Sequence, residues 1–196
     1  LPLASMLVRS KVKGLGFFRI VVFLPQVIAM VVLAVAWRNI YAINGPINTV
    51  LGWFGVEMNE SFLGSFTWAL PAVGFIGTWV SVGLVTVLLM SGIARIDESY
   101  YEAATLDGVG PLGKFWYITL PAVRAEILVC ITLTTINALK TFDLVYMTTA
   151  GGPGTSTTVP AYEVFYQAFR AGNVGTASAL AVVLTILIFM INLVVN

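Results

Sequence analysis

SFLGSFTWALPAVGFIGTWVSVGLVTVLLMSGIA, residues 61–94, contains no charged residue. A helix needs about 20 mostly apolar residues to cross the hydrocarbon core of a bilayer. This stretch is longer than one crossing requires, so its first residues are expected outside the membrane and the span at 68–90. The rest of the chain has the same character. Of its 196 residues, 59% are hydrophobic and 10% are charged, against about 25% charged in a soluble domain. Too few polar residues remain to cover a water-facing surface. The expected fold is all-α, a polytopic transmembrane helical bundle in a single domain.

Three further spans are read outward from that stretch: 17–37, 120–139 and 176–195. Pro25 lies inside the first, which membrane helices tolerate when neighbours satisfy the freed carbonyl. Arg124 and Glu126 lie early in the third, so that end is expected near the headgroups, where Arg can snorkel. Leu1–Val8 is too short to cross and has no basic segment before it. It reads as the tail of an earlier span, and the chain as a fragment.

Alternating spans sort the basic residues. Arg9, Lys11, Lys13, Arg19, Arg95, Lys114 and Arg124 fall on one side; Arg38, Lys140 and Arg170 fall on the other. The seven-to-three excess places the first group in the cytoplasm. The loop 91–119 is then cytoplasmic, and the loops around 39–65 and 141–175 are external. In the external loops Asn44-Gly45-Pro46 signals a turn, and Trp53 and Phe54 suit an interfacial position. Gly151-Gly152-Pro153-Gly154 breaks any helix. Pro160 then suits the first turn of a new one, with Thr158 a candidate cap. Tyr162, Phe165, Tyr166 and Phe169 recur at helical spacing opposite Glu163, Gln167 and Arg170. They predict an external amphipathic helix over 160–170, stopped by Gly172 and Asn173.

Composition also excludes chemistry. The chain has no histidine, so His-based metal sites, His general bases and Ser-His-Asp triads are ruled out, and no metal site or catalytic group is expected. The net charge of +1 argues against nucleic acid as a partner. The single cysteine, Cys130, sits in an apolar run and reads as a buried small residue.

Polar residues return in the loop 91–119. Asp97 or Ser99 can cap a helix, and Glu102 lies three residues after Ser99, as in a capping box. Gly108, Gly110 and Pro111 end that helix. Ala103-Ala104 would let another backbone approach closely, and Glu102 offers a charge to a cationic partner.

The spacing Glu102-Ala103-Ala104, three residues, Gly108, nine residues, Ile118, one residue, Leu120-Pro121 resembles the EAA loop of membrane subunits of bacterial binding-protein-dependent ABC importers. Phe142-Asp143, Thr149, Gly151-Gly152-Pro153 and Thr157 resemble carbohydrate-type permeases of the maltose and glycerol-phosphate kind. So do Gly16-Phe17-Phe18-Arg19, Leu24-Pro25, Ala168-Phe169, Gly175 and Ala177-Ser178-Ala179. The resemblance implies a type I importer permease, part of a six-span subunit of the bacterial cytoplasmic (inner) membrane. It implies that this chain carries a sugar but binds no cofactor, ATP being used by a separate ABC ATPase subunit. A second permease subunit and a periplasmic or lipid-anchored solute-binding protein complete the implied assembly. Docking to the ATPase subunit falls by resemblance on Glu102, Ala103, Ala104, Leu106, Asp107 and Gly108. The chain has no Gly-x-x-x-x-Gly-Lys-Ser/Thr phosphate loop, which fits that division of labour.

Polar residues within spans mark a candidate path for the sugar. Thr134, Asn137 and Thr141 fall at i, i+3 and i+7, one face of a helix. Trp79 could stack on a sugar ring, with Ser81 beside it. The competing explanation is structural: Thr and Ser bond back to their own helix, and Asn can join helices. Lys140 and Asp143 at i, i+3 are expected to pair. Two other classes are weighed. A secondary transporter or channel would need ionisable residues in mid-span. A membrane-embedded enzyme would need a catalytic cluster that the composition lacks.

Overall fold

The computed structural model describes residue 4 and residues 15–56 and 60–195, with no side chain described at 15 or 195. Arg9, Lys11, Lys13 and most of the Leu1–Val8 tail lie outside the described residues. In chain order the helices are α1 (Leu15–Val27), α2 (Met30–Ile40), α3 (Pro46–Trp53), α4 (Ala69–Ile93), α5 (Glu98–Leu106), α6 (Pro111–Lys114), α7 (Arg124–Leu139), α8 (Asp143–Thr148), α9 (Pro160–Phe169) and α10 (Val174–Val195). A π-helical turn, Phe115–Thr119, and a last α turn, Leu120–Ala122, join α6 to α7. No strand occurs among the described residues. Among the described residues, two helices, α4 and α10, are individually long and apolar enough to cross a membrane. The number rises to four if the bent pairs 16–40 and 111–139 each count as one span.

Two of the expected spans are therefore interrupted. The first breaks at Ile28–Ala29, where Ala29 adopts extended backbone (φ −58°, ψ 134°). Pro25, three residues earlier, is the sole helix breaker in this stretch, so the break could not be placed from residue types. The third is bent by 70° at Val123, and its helix begins at Arg124 rather than Leu120. Pro121 has no N–H for the carbonyl of Tyr117, and its ring would crowd that carbonyl in α geometry. The chain answers with a wider turn just before it, in which the Leu120 N–H donates to the Phe115 carbonyl. Such π turns are rare and recur at functional sites.

The chain divides into two compact units. One comprises residues 1–26, 81–134 and 195–196. Its core joins Leu89, Met90 and Ile93 of α4 to Val123, Cys130 and Ala4, flanked by Val85, Leu88, Ile96 and Ile127. Cys130 is buried there as expected. Gly83 faces α1 so closely that a Cβ would lie 2.7 Å from the Val22 carbonyl oxygen. A small residue is what such a backbone approach requires.

The second unit comprises residues 27–80 and 135–194. Its core gathers Ala34, Tyr41, Ala72, Val73, Ile76, Leu144, Val145 and Tyr162. Pro46 and Pro160 start α3 and α9 at the first turn, as proline should. Val159, not Thr158, precedes α9, with no side-chain cap; the Thr158 hydroxyl donates to the Gly151 carbonyl at 3.4 Å instead. The aromatic stripe of α9 divides. Tyr162 and Phe165 pack on Phe142 and Tyr146, while Tyr166 and Phe169 stay exposed. The 148–158 turn is held by Thr157, whose hydroxyl contacts the Gly152 carbonyl at 2.8 Å and the Thr149 hydroxyl at 2.7 Å. It is held also by Tyr162, whose hydroxyl donates to the Ala150 carbonyl at 2.6 Å.

Candidate functional site

Helix α5 is closed at both ends by its own sequence. Asp97 is its cap: the carboxylate accepts the Ser99 N–H at 2.9 Å. That bond, with the neighbouring Ser99 hydroxyl, holds the Asp97 carboxyl below its ordinary pKa. Ser99 thus lies inside the helix, and the Ser99–Glu102 capping box does not form, because Asp97 already occupies the capping position. At the other end the Val109 N–H donates to the Ala104 carbonyl and the Gly108 N–H to the Thr105 carbonyl. This is the Schellman pattern, which calls for a left-handed residue after the cap. Gly108 supplies it with φ +73°. Nothing lies within 4 Å of where a Gly108 Cβ would stand, so the demand for glycine is conformational rather than steric.

The two faces of α5 differ. Tyr101 and Ala104 are turned inward and buried. Glu102, Ala103, Leu106, Asp107 and Gly108 are exposed, Leu106 at 89%. Of the small pair, only Ala103 offers close approach from outside. Tyr100, Leu112, Trp116 and Tyr117 add exposed apolar surface in the same loop. Tyr100 is legible in the sequence as apolar surface of this helix; Leu112, Trp116 and Tyr117 are not, because exposure of an aromatic in a short loop has no periodicity to betray it.

The loop is tied to its own unit by polar contacts. The Tyr101 hydroxyl meets the Thr119 hydroxyl at 2.8 Å in a buried setting. Thr105 accepts from the Lys114 ammonium at 2.6 Å and donates to the Tyr101 carbonyl at 2.7 Å. Arg95 forms an ion pair with Glu126. Gly92 makes room for it, since a Cβ there would come within 2.8 Å of the Glu126 carboxyl carbon. Glu126 is thus satisfied inside the chain, a pairing across 31 positions that linear spacing does not reveal.

The residues expected along a sugar path are disposed differently. Thr134 donates to the Cys130 carbonyl at 2.8 Å and lies 3.2 Å from that of Ile131. Helix α7 ends at Leu139, so Thr141 leaves the face shared by Thr134 and Asn137, and its hydroxyl donates to the Asn137 carbonyl at 2.8 Å. The Asn137 side chain is exposed and hydrogen-bonds to no described residue. Trp79 is 37% exposed and stands edge-on to Trp37 at 5.5 Å; Ser81 is half-buried. Lys140 and Asp143 do not pair. The helix stops between them, so i, i+3 proximity does not apply. No group of three or more His, Cys, Asp or Glu able to hold a metal occurs among the described residues.

Comparison with known proteins adds three findings. The family described as "Binding-protein-dependent transport system inner membrane component" matches residues 2–196. Among curated relatives, the chain is 35% identical over 179 residues to the probable ABC transporter permease protein YurN of Bacillus subtilis, covering 90% of this chain and 61% of that protein. It is 30% identical over 191 residues to the trehalose/maltose transport system permease protein MalF of Thermococcus litoralis, covering 97% of this chain and 64% of that one. The chain thus spans less than two thirds of the length of either relative. In fold it is similar to a chain of a bacterial alginate ABC transporter crystallised in complex with an alginate pentasaccharide-bound periplasmic protein (TM-score 0.85, 23% identity, 100% of this chain and 68% of that one).

Proposed function

The chain belongs to the family of binding-protein-dependent transport system inner membrane components, and from that membership we propose that it forms part of the permease subunit of an ATP-driven bacterial importer of a carbohydrate. The spans are those read at 17–37, 68–90, 120–139 and 176–195, the first and third bent, with the 91–119 loop in the cytoplasm. ATP is hydrolysed by a separate ABC ATPase subunit; this chain has no catalytic site and holds no cofactor. A second permease subunit completes the path, and a solute-binding protein delivers the sugar from outside. The trehalose/maltose name of one relative supports the substrate class.

The observation that carries this reading is the form of α5. It is a nine-residue helix with both ends closed, buried on one face and bare on the other. Such an element can be gripped as a rigid body. Glu102, Ala103, Leu106 and Asp107 form the gripped face, Ala104 seats the helix on its own chain, and Gly108 sets the exit angle. In the membrane, Asn137 is the polar side chain best placed to meet a sugar, since its amide can donate and accept. Thr134 and Thr141 spend their protons on backbone carbonyls, and Trp79 and Ser81 are secondary candidates.

The test is co-purification. Glu102→Lys in the full-length subunit should insert normally and lose the ATPase subunit in detergent, and a reversed charge on the ATPase side should restore part of the loss. Retention of the ATPase subunit with undiminished transport would overturn the assignment.

A further inference from the structure

We propose that Tyr101 and Thr119 are the positioning residues through which movement of α5 reaches the membrane, and that the π turn between Phe115 and Thr119 is the part that deforms. The inference rests on the docking reading of α5 and goes beyond it. Docking concerns the outer face of the helix, whereas this concerns the inner one.

Tyr101 directly precedes Glu102 in sequence but points the opposite way. It is 6% exposed, and Thr119 is 3% exposed. Their hydroxyls meet 2.8 Å apart across 18 positions. A buried hydroxyl pair is costly to separate, because each partner would be left without water to replace the other. Thr119 closes the π turn, and its hydroxyl also lies 3.5 Å from the Lys114 carbonyl at the start of that turn. Lys114 in turn donates to Thr105, whose own hydroxyl donates to the Tyr101 carbonyl. The contacts therefore close a ring: α5 grips both ends of the π turn, through Lys114 at its entry and Thr119 at its exit.

What lies beyond the turn is held. Val123 is fully buried, and the start of α7 is anchored by the Arg95–Glu126 pair at the end of α4. A displacement of α5 cannot pass into α7 as a free translation. It must be taken up where the backbone has an alternative register. A π turn ahead of a proline is such a place, since changing one i→i−5 bond for an i→i−4 bond shifts everything after it. Neither hydroxyl meets substrate or the ATPase subunit in this account.

The experiment uses the full-length permease assembled with its partner permease and ATPase subunits in lipid nanodiscs. Amide hydrogen exchange over residues 115–123 is compared without nucleotide and with ATP plus vanadate. In the wild type the exchange rate should change with nucleotide. Tyr101→Phe keeps the buried ring and removes the hydroxyl. It should retain the ATPase subunit while the nucleotide-dependent change shrinks by roughly fivefold, the scale of one lost hydrogen bond. Thr119→Val should match it, Thr119→Ser should restore the response, and the double variant should be no worse than either single one. A purely structural role would shift exchange equally in both nucleotide states. That outcome overturns the proposal, as does a wild-type response in Tyr101→Phe or an unresponsive wild-type turn. If Glu102→Lys loses the ATPase subunit while Tyr101→Phe responds normally, the latch is wrong and docking stands. If Glu102→Lys retains the subunit, the docking reading itself fails.

Discussion

Helix α5 and the polar end of α7 both carry residues that the sequence marks for function, and they differ in how far their polar groups reach. In α5 the caps satisfy the ends, and although the Thr105 hydroxyl bonds back to the Tyr101 carbonyl, other side-chain bonds reach far along the chain, from Tyr101 to Thr119 and from Thr105 to Lys114. The outer face is left free of internal duties. In α7, Thr132 and Thr134 donate to carbonyls four residues back, as Thr141 does just beyond its end. Those hydroxyls serve their own backbone first. Asn137 differs from these three, with an amide bonded to no described residue. A polar residue in an apolar helix is thus weak evidence of a site until its proton is accounted for. A short helix with closed ends and a bare face is stronger evidence.

The comparison can be broken most decisively at Glu102. On the proposed docking, Glu102→Lys would remove a charge-assisted contact of roughly 1.5–3 kcal/mol and add repulsion, so the ATPase subunit should be retained at least about tenfold less well in detergent. Gly108→Ala comes next. The left-handed backbone there costs an L-residue about 1–2 kcal/mol, so amide protection over residues 103–109 should fall by the matching factor. Gly108→Asn should lose less, since Asn tolerates that conformation; equal losses would mean that space, not backbone, governs the position.

On the α7 side the effects should be smaller. Asn137→Ala should weaken sugar transport by about 1 kcal/mol, near fivefold, with the ATPase subunit still bound. Thr134→Val should change transport by less than about 0.5 kcal/mol, because its hydroxyl is already committed. A larger loss at Thr134 than at Asn137 would reverse the ranking drawn here. Asp97 gives the smallest effect at neutral pH. Its folded-state pKa is lowered, so the cap is fully present above the ordinary carboxylate value and is lost as pH falls through the depressed one. Protection of α5 should therefore be flat from pH 8 to 5, and Asp97→Asn, which keeps an acceptor, should leave it unchanged. Melting of α5 between pH 7 and 6 would point to a different group.

Local signals were legible in the sequence, and distant ones were not. Gly108 after Asp107 announces a helix end with a left-handed residue, Pro160 announces a helix start, and Asn44-Gly45-Pro46 announces a turn, though not the helix that follows it. All three depend on backbone chemistry within a few positions. The buried Cys130 follows from its apolar neighbours. By contrast, the Arg95–Glu126 pair and the Tyr101–Thr119 contact join residues 31 and 18 positions apart, which no periodicity encodes. The π turn is a response to Pro121 that could have been a kink instead. The break at Ile28–Ala29 has no glycine or proline of its own. Lys140 and Asp143 mislead because i, i+3 spacing implies proximity only while a helix continues, and α7 ends at Leu139.

The two faces of α5 offer the most direct measurement. In a Cys130→Ala background, Ala103→Cys and Ala104→Cys are each treated with a maleimide, with and without the ATPase subunit. Ala103→Cys should label fast alone and be protected by the subunit, while Ala104→Cys, buried against its own chain, should label slowly in both states. Unprotected labelling of Ala103→Cys in the assembled complex would contradict the claim that this face is where the ATPase subunit takes hold.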